Sequence, residues 1–229
     1  MRSMIYSLPV IAFGLFTLVN PAFSADDDAA LYDVEVIIFD RSDEEAGVTE
    51  IWPDDPGEPD WESLPAPGTP DWLPDSAWKL GPEDYTLRHK SRGLKTHIHA
   101  AWRQVIRKGG KVVPIHLRSS QTTVNGMPVM EGLVSVSVKR YLHVNLDMTL
   151  RIARVSAGGE SKDGVSEFGD RRYRMQEHRR MRSGELHYLD HPMMGVLIRI
   201  DRSETGDVSG IMMEPLPRDE DPSTETVIR

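Results

Sequence analysis

The stretch from Arg179 to Pro192 gathers Arg179, Arg180, Arg182, Glu185, His187, Tyr188, Asp190 and His191 around a Ser183-Gly184 pair. These residue types serve three different chemistries. His187, Asp190 and His191 are the nitrogen and oxygen donors that hold a catalytic zinc with one position left open. On a helix their spacing would put all three on one face. Here a strand runs into His191-Pro192, so a shared face requires that the strand stay straight past a proline. Arginine and tyrosine suit a second chemistry, because a guanidinium pairs with carboxylates and an aromatic ring covers the apolar face of a sugar. The third reading is internal: the same groups meet one another in a hydrogen-bond network that fixes strand register. Further histidine, tyrosine and arginine residues, namely His97, His99, Arg103, Tyr141 and His143, lie open to the last two readings.

Other reaction classes lack their signatures. No serine sits in a G-x-S-x-G context, and no phosphate loop or dinucleotide glycine pattern occurs. The 229 residues contain no cysteine, which excludes disulfides, thiol catalysis and cysteine-bound zinc. The net charge of −9 conceals an asymmetry. Residues 25–84 carry 19 acids against Arg41 and Lys79, a net of −17. Residues 85–200 carry 21 lysines and arginines against 9 acids, a net of +12, and the last 29 residues carry −5. Either the acidic arm lies on the basic core, or part of the basic surface faces an anionic polymer.

The elements that must position these residues are legible in the pattern. Ser183-Gly184 reads as a hairpin turn joining strands over 173–182 and 185–189, followed by a turn at Asp190-His191-Pro192 and a buried strand over 196–200. Residues 31–39 form an apolar, β-branched run that predicts a central strand. Gly81-Pro82-Glu83-Asp84 opens a short helix that stops at Gly93. A strand over 94–103 follows, with Leu94, Thr96, Ile98, Ala100 and Trp102 on one face and Lys95, His97, His99 and Arg103 on the other. A strand over 111–117 and a turn at Asn125-Gly126 come next. Residues 133–152 carry apolar side chains on even positions throughout, except at Arg140. The pattern predicts one long strand with a bulge at Lys139-Arg140, and an inward Arg140 paired with Asp190 or Glu185. Residues 157–169 form a Gly-rich loop.

Residues 40–80 differ in kind, holding seven prolines between Pro53 and Pro74 together with Trp52, Trp61, Trp72 and Trp78. Proline at that density denies helix and ladder bonds, so this is an acidic, extended arm. Its tryptophans either anchor it to the domain or offer platforms for sugar rings. At the N-terminus, Arg2, an apolar run to Val19 and the small residues Ala22 and Ser24 predict a signal peptide over 1–24. The expected organisation is that signal, one α+β domain over 25–212 and a disordered tail over 213–229. The expected fold is a single antiparallel β-sheet with one or two helices on a face and the long Trp/Pro-rich arm.

Taken together, these pieces resemble the CsiV family (cell shape integrity) of exported envelope proteins in Gram-negative bacteria. The resemblance rests on Tyr32-Asp33-Val34-Glu35-Val36-Ile37-Ile38-Phe39, His99-Ala100-Ala101-Trp102-Arg103-Gln104, Arg140-Tyr141-Leu142-His143, Arg179 through Pro192, and Gly195-Val196-Leu197-Ile198. It implies a periplasmic protein that binds peptidoglycan and supports a bifunctional peptidoglycan synthase through that enzyme's outer-membrane lipoprotein activator. The expected function is therefore a non-catalytic binding and scaffold protein without cofactor or metal, and without nucleic-acid or membrane-spanning character once mature. The binding candidates are Arg179, Arg180, Arg182, His187, Tyr188, His143, Tyr141 and Trp102. The alternative is a metal-dependent cell-wall hydrolase or amidase using His187, Asp190 and His191. If residues 1–24 are a cleaved signal, protein recovered from the periplasm begins at Ala25; an intact Met1 in its mass spectrum would refute this.

Overall fold

The computed structural model describes residues 29–41, 51–64, 70–153 and 170–203. The expected signal peptide and tail, the Gly-rich loop over 157–169 and parts of the arm lie outside the described residues. Nine strands and one α-helix occur among the described residues: β1 (Ala29–Arg41), β2 (Asp71–Trp72), α1 (Gly81–Lys90), β3 (Leu94–Arg107), β4 (Pro114–Arg118), β5 (Met130–Val138), β6 (Leu142–Ala153), β7 (Asp170–Met181), β8 (Leu186–His191) and β9 (Met194–Arg202). They form two antiparallel sheets, one in the order β2-β3-β1-β9-β8 and one in the order β4-β5-β6-β7. This corrects the expected single sheet with one or two helices on a face: the described residues are mostly β, in two sheets, with one α-helix.

Two local features hide the second sheet from the sequence. Residues 133–152 are not one bulged strand but parts of β5 and β6, joined by a three-residue turn, Lys139-Arg140-Tyr141. Val138 pairs with Leu142 and Val136 with Val144, so even positions face even positions across the hairpin. A turn of odd length therefore carries the alternation through unbroken, and two strands read as one. Ser183-Gly184 is likewise not a hairpin between paired strands. β7 pairs with β6 and β8 pairs with β9, so the Ser183-Gly184 turn carries the chain from one sheet to the other. Gly184 supplies a φ of +81° at this corner, and its N–H donates to the Ile200 carbonyl at 2.8 Å.

The core lies between the sheets. Val34, Val36 and Ile38 of β1, Ile98 and Trp102 of β3, and Val196, Ile198 and Ile200 of β9 share one buried cluster with residues of the opposite sheet. Those include Val134 and Val136 of β5, the even positions Leu142–Leu150 of β6, and Tyr173, Met175 and Met181 of β7. β1 is apolar on both faces because its other side packs Ile37 and Phe39 under Leu80 and Leu87, the latter on α1. The expectations of a central β1 and of a short helix opening at Gly81 thus hold.

Glu35 fixes how these parts meet. It projects from the outer face of β1 and is only 6% exposed. Its carboxylate accepts the N–H groups of Lys79 and Leu80 at 2.7 and 2.9 Å, and sits 2.8 Å from His99 Nε2. The other ring nitrogen of His99 lies 3.3 Å from Asp84 on α1, and Trp78 packs on the same ring at 4.1 Å. Leu80, the residue before α1, has no side-chain cap of its own, so a carboxylate from the sheet takes that place. Burial raises the Glu35 pKa, but the His99 bond and the two N–H donors outweigh it and hold the carboxyl below its ordinary value of 4.5.

The inward arginine expected at position 140 is elsewhere. Arg140 is exposed at the tip of the β5–β6 turn, with Tyr141 as its ring partner at 5.5 Å. The buried cation is Arg151, 6% exposed, 2.7 Å from the Glu131 carboxylate and donating to the Pro128 carbonyl at 3.0 Å. Arg151 stands on the outer face of its sheet, where alternation predicts solvent. The arm removes that solvent. Asp55 and Glu58 pair with Arg172 on β7, Arg174 donates to the Pro56 carbonyl, and Trp61 meets His116 on β4. Residues 55–61 therefore cross all four strands of this sheet, over Glu131, Thr149 and Arg151.

Two measurements check this account. Because the folded pKa of Glu35 is depressed, its contribution is fully present above the ordinary value of 4.5 and is lost as the pH falls through the lower folded value. Glu35→Gln should accordingly lower the melting temperature at pH 7 and flatten its decline under acid; an unchanged acid profile would remove Glu35 from this role. Arg151→Ala should cost about 3–5 kcal/mol because it strands the Glu131 carboxylate, whereas Arg140→Ala should stay within about 0.5 kcal/mol. Urea unfolding of the two variants decides, and a reversed order would contradict the assignment.

Candidate functional site

The antiparallel register of β6 and β7 builds the site. Leu142 pairs with Met181 and His143 with Arg180, which brings the β5–β6 turn beside the end of β7. The Arg180 guanidinium lies 4.5 Å from the centre of the Tyr141 ring, and Arg140 lies 5.5 Å from the same ring. Tyr141 remains 38% exposed between them. On the adjoining surface, His143 Nδ1 and His178 Nε2 are 3.1 Å apart and the rings stack at 5.1 Å. Arg182, 79% exposed, has Glu185 at 3.5 Å. Arg179 is exposed on the opposite face of β7 from Arg180.

β7 divides into two electrostatic halves. At its start, Arg172 is held by Asp55 and Glu58 of the arm, and Arg174 makes a two-pronged pair with Asp147 at 2.7 Å. At its end no carboxylate among the described residues bonds Arg179 or Arg180, nor the neighbouring Arg140. Arm on core and open basic surface are therefore both present, at opposite ends of one strand. The free end carries an exposed aromatic ring between two guanidiniums, which suits a ligand with carboxylates and apolar ring faces.

The remaining candidates from the sequence are not part of this patch. His187 and Tyr188 point to opposite faces of β8, as strand alternation requires. His187 is largely buried, 3.8 Å from Glu185. Tyr188 lies on the outer face against Phe39 at 6.4 Å, close enough only because Gly195 leaves room for the Phe39 ring. Its hydroxyl donates to Asp190 at 2.6 Å, and Arg41 bonds both groups. Burial pushes the Tyr188 pKa up, helped by Asp190 and opposed by Arg41. Trp102 is fully buried, its indole N–H donating to Gln104 at 2.7 Å, and offers no face to a ligand.

His187, Asp190 and His191 do not converge on a metal. Asp190 is turned outward to Tyr188 and Arg41, while His191 Nδ1 accepts the Met193 N–H at 3.1 Å and its ring packs on Trp52 at 5.2 Å. Burial lowers the His191 pKa, in keeping with a neutral, accepting ring. Among the described residues no group of three or more histidine, aspartate or glutamate side chains is placed to hold an ion. The histidines of β3 are structural as well. His97 binds Asp40 at 2.9 Å, His99 binds Glu35, and Arg103 pairs with Asp33 at 2.6 Å.

Sequence reasoning missed His178, whose partnership with His143 depends on the register of a sheet not foreseen. The acidic arm lying on the basic core was one of the two readings of the charge asymmetry, and it is realised at Arg172; the pairing of Arg174 with Asp147 depends on the same unforeseen register.

A sequence model for the CsiV family, described as peptidoglycan-binding protein, matches residues 6–203. The chain belongs to the CsiV family of peptidoglycan-binding proteins. Comparison with curated proteins and with solved structures gave no match. Peptidoglycan is a polymer of the cell envelope, and no helix among the described residues is long and apolar enough to cross a membrane.

Proposed function

We propose that this CsiV-family chain is a non-catalytic periplasmic scaffold that holds peptidoglycan at the patch of Tyr141, His143, Arg180 and Arg182, with Arg179 adding positive charge from the other face of β7. The observation that carries the proposal is the unneutralised end of β7 beside an exposed ring flanked by Arg140 and Arg180. Stem-peptide carboxylates meet the guanidiniums, and a sugar or peptide face lies along Tyr141. The family resemblance supports a further step, in which the bound protein serves a bifunctional peptidoglycan synthase through an outer-membrane lipoprotein activator.

Purified sacculi test the binding step. The combined Arg179→Ala, Arg180→Ala and Arg182→Ala variant should fold with nearly unchanged stability, since all three side chains are exposed. It should lose most sacculus binding at low salt, where screening is least, and show a weaker salt dependence than the parent chain. Unchanged affinity with unchanged salt dependence would place the binding surface elsewhere.

A further inference from the structure

A second feature of the surface is independent of the cationic patch. A cleft of about 440 Å³ opens where the two sheets meet along β3 and β4, lined by Trp72, Ile98, Ala100, His116, Leu117 and Arg118 among others. β4 is the edge of its sheet, and β3 has an open edge where the two-residue β2 stops. β2 covers β3 only at Trp102 and Arg103, with one further bond from the Leu73 N–H to the Ala101 carbonyl at 2.9 Å. Beyond Ala101, toward the start of β3, no strand among the described residues covers that edge. Backbone alternation turns the main-chain groups of His99 to the same side as those of Ala101. On the other bank β4 pairs only with β5. Ser119 bonds inward to Met130, so the main-chain groups of His116 and Arg118 point away from β5.

The lining offers open strand edges and an apolar floor of Ile98 and Leu117, 6% and 3% exposed. Trp72, 44% exposed, forms one wall, and Arg118 lies exposed at the rim with no carboxylate bonded to it among the described residues. Open edges of this kind take up extended chains by main-chain pairing, with alternate side chains read by pockets.

We infer that the cleft receives an extended segment of a partner protein, added to β3 as the continuation of β2, with an apolar side chain over Ile98 and Leu117 and an acidic side chain at Arg118. An all-L segment fits this pairing. A cell-wall stem peptide, with D-residues interspersed, does not present side chains in regular alternation along a strand. The inference does not rest on the cell-wall reading of the Tyr141 patch.

Three probes test it against the ¹⁵N-labelled chain: a capped eight-residue L-peptide of alternating valine and glutamate, its valine–lysine counterpart, and a soluble disaccharide–peptide fragment of peptidoglycan. The glutamate peptide should shift the amides of His99, His116 and Arg118 and the Trp72 indole, and slow hydrogen exchange at His99. Arg118→Glu should weaken that peptide at least about fivefold and turn the preference toward lysine. The same variant should bind sacculi as the parent does, which separates this inference from the proposed function. Absence of shifts in the cleft with either peptide would overturn it, as would shifts there caused by the peptidoglycan fragment alone.

Discussion

A buried carboxylate on the central strand organises this molecule. Glu35 is the point at which three separate stretches of chain come together: the end of the arm through Lys79, the start of the helix through Leu80, and the neighbouring strand through His99. A carboxylate in such a place is stable only while each oxygen is bonded, since an unpaired buried charge is costly. The helix and arm are therefore required by the sheet as much as the sheet is required by them. β1 repeats the device on a smaller scale, with Asp33 holding Arg103 on the same side and Asp40 holding His97 on the other. Acid on β1 against base on β3 sets the register of the pair.

Among the described residues it is the arm, and not a helix, that covers the second sheet. Its prolines keep it extended, and its acids and tryptophans meet the sheet at intervals: Trp52 against Tyr173, Glu58 against Arg172, Trp61 against His116. That cover explains how Arg151 and Thr149 come to be buried on a face that alternation assigns to solvent. It also takes up Arg172 at the start of β7, while Asp147 of β6 takes up Arg174 and the arginines at the end of the strand have no bonded carboxylate among the described residues.

Much of this was legible in the residues, and the gaps have physical causes. The central strand and the helix start at Gly81 follow from local pattern and appear as expected. The single face expected for Leu94, Thr96 and Ile98 does not, because the register shift at His97 sets Thr96 opposite Phe39 on the outer side while Ile98 stays in the core. The sheet count does not, because the Lys139–Tyr141 turn preserves side-chain parity and leaves no break to detect. Arg140 looked inward for the same reason: an even position in an unbroken alternation is an inside position, unless the chain turns there. The corner at Ser183-Gly184 has the residues of a hairpin and the geometry of a crossing between sheets, and local chemistry is the same for both. Which side chains share a patch is a property of register across strands, so Tyr141 and Arg180 were both named from sequence while their contact was not.

The crossing at Ser183-Gly184 also bears on mechanics. A protein attached to a polymer under turgor feels tension at its attachment point. In the proposed binding mode that point lies where β7 ends, at the tip of the adjoining hairpin and beside the covalent link between sheets. Ladder bonds run across the strands, so a pull along the strand axis loads the twelve paired positions of β6 and β7 in shear rather than opening them one at a time. The link passes part of the same pull directly to β8 and from there into the sheet built on β1. Tension entering at one corner is thus divided between both sheets instead of peeling one from the other.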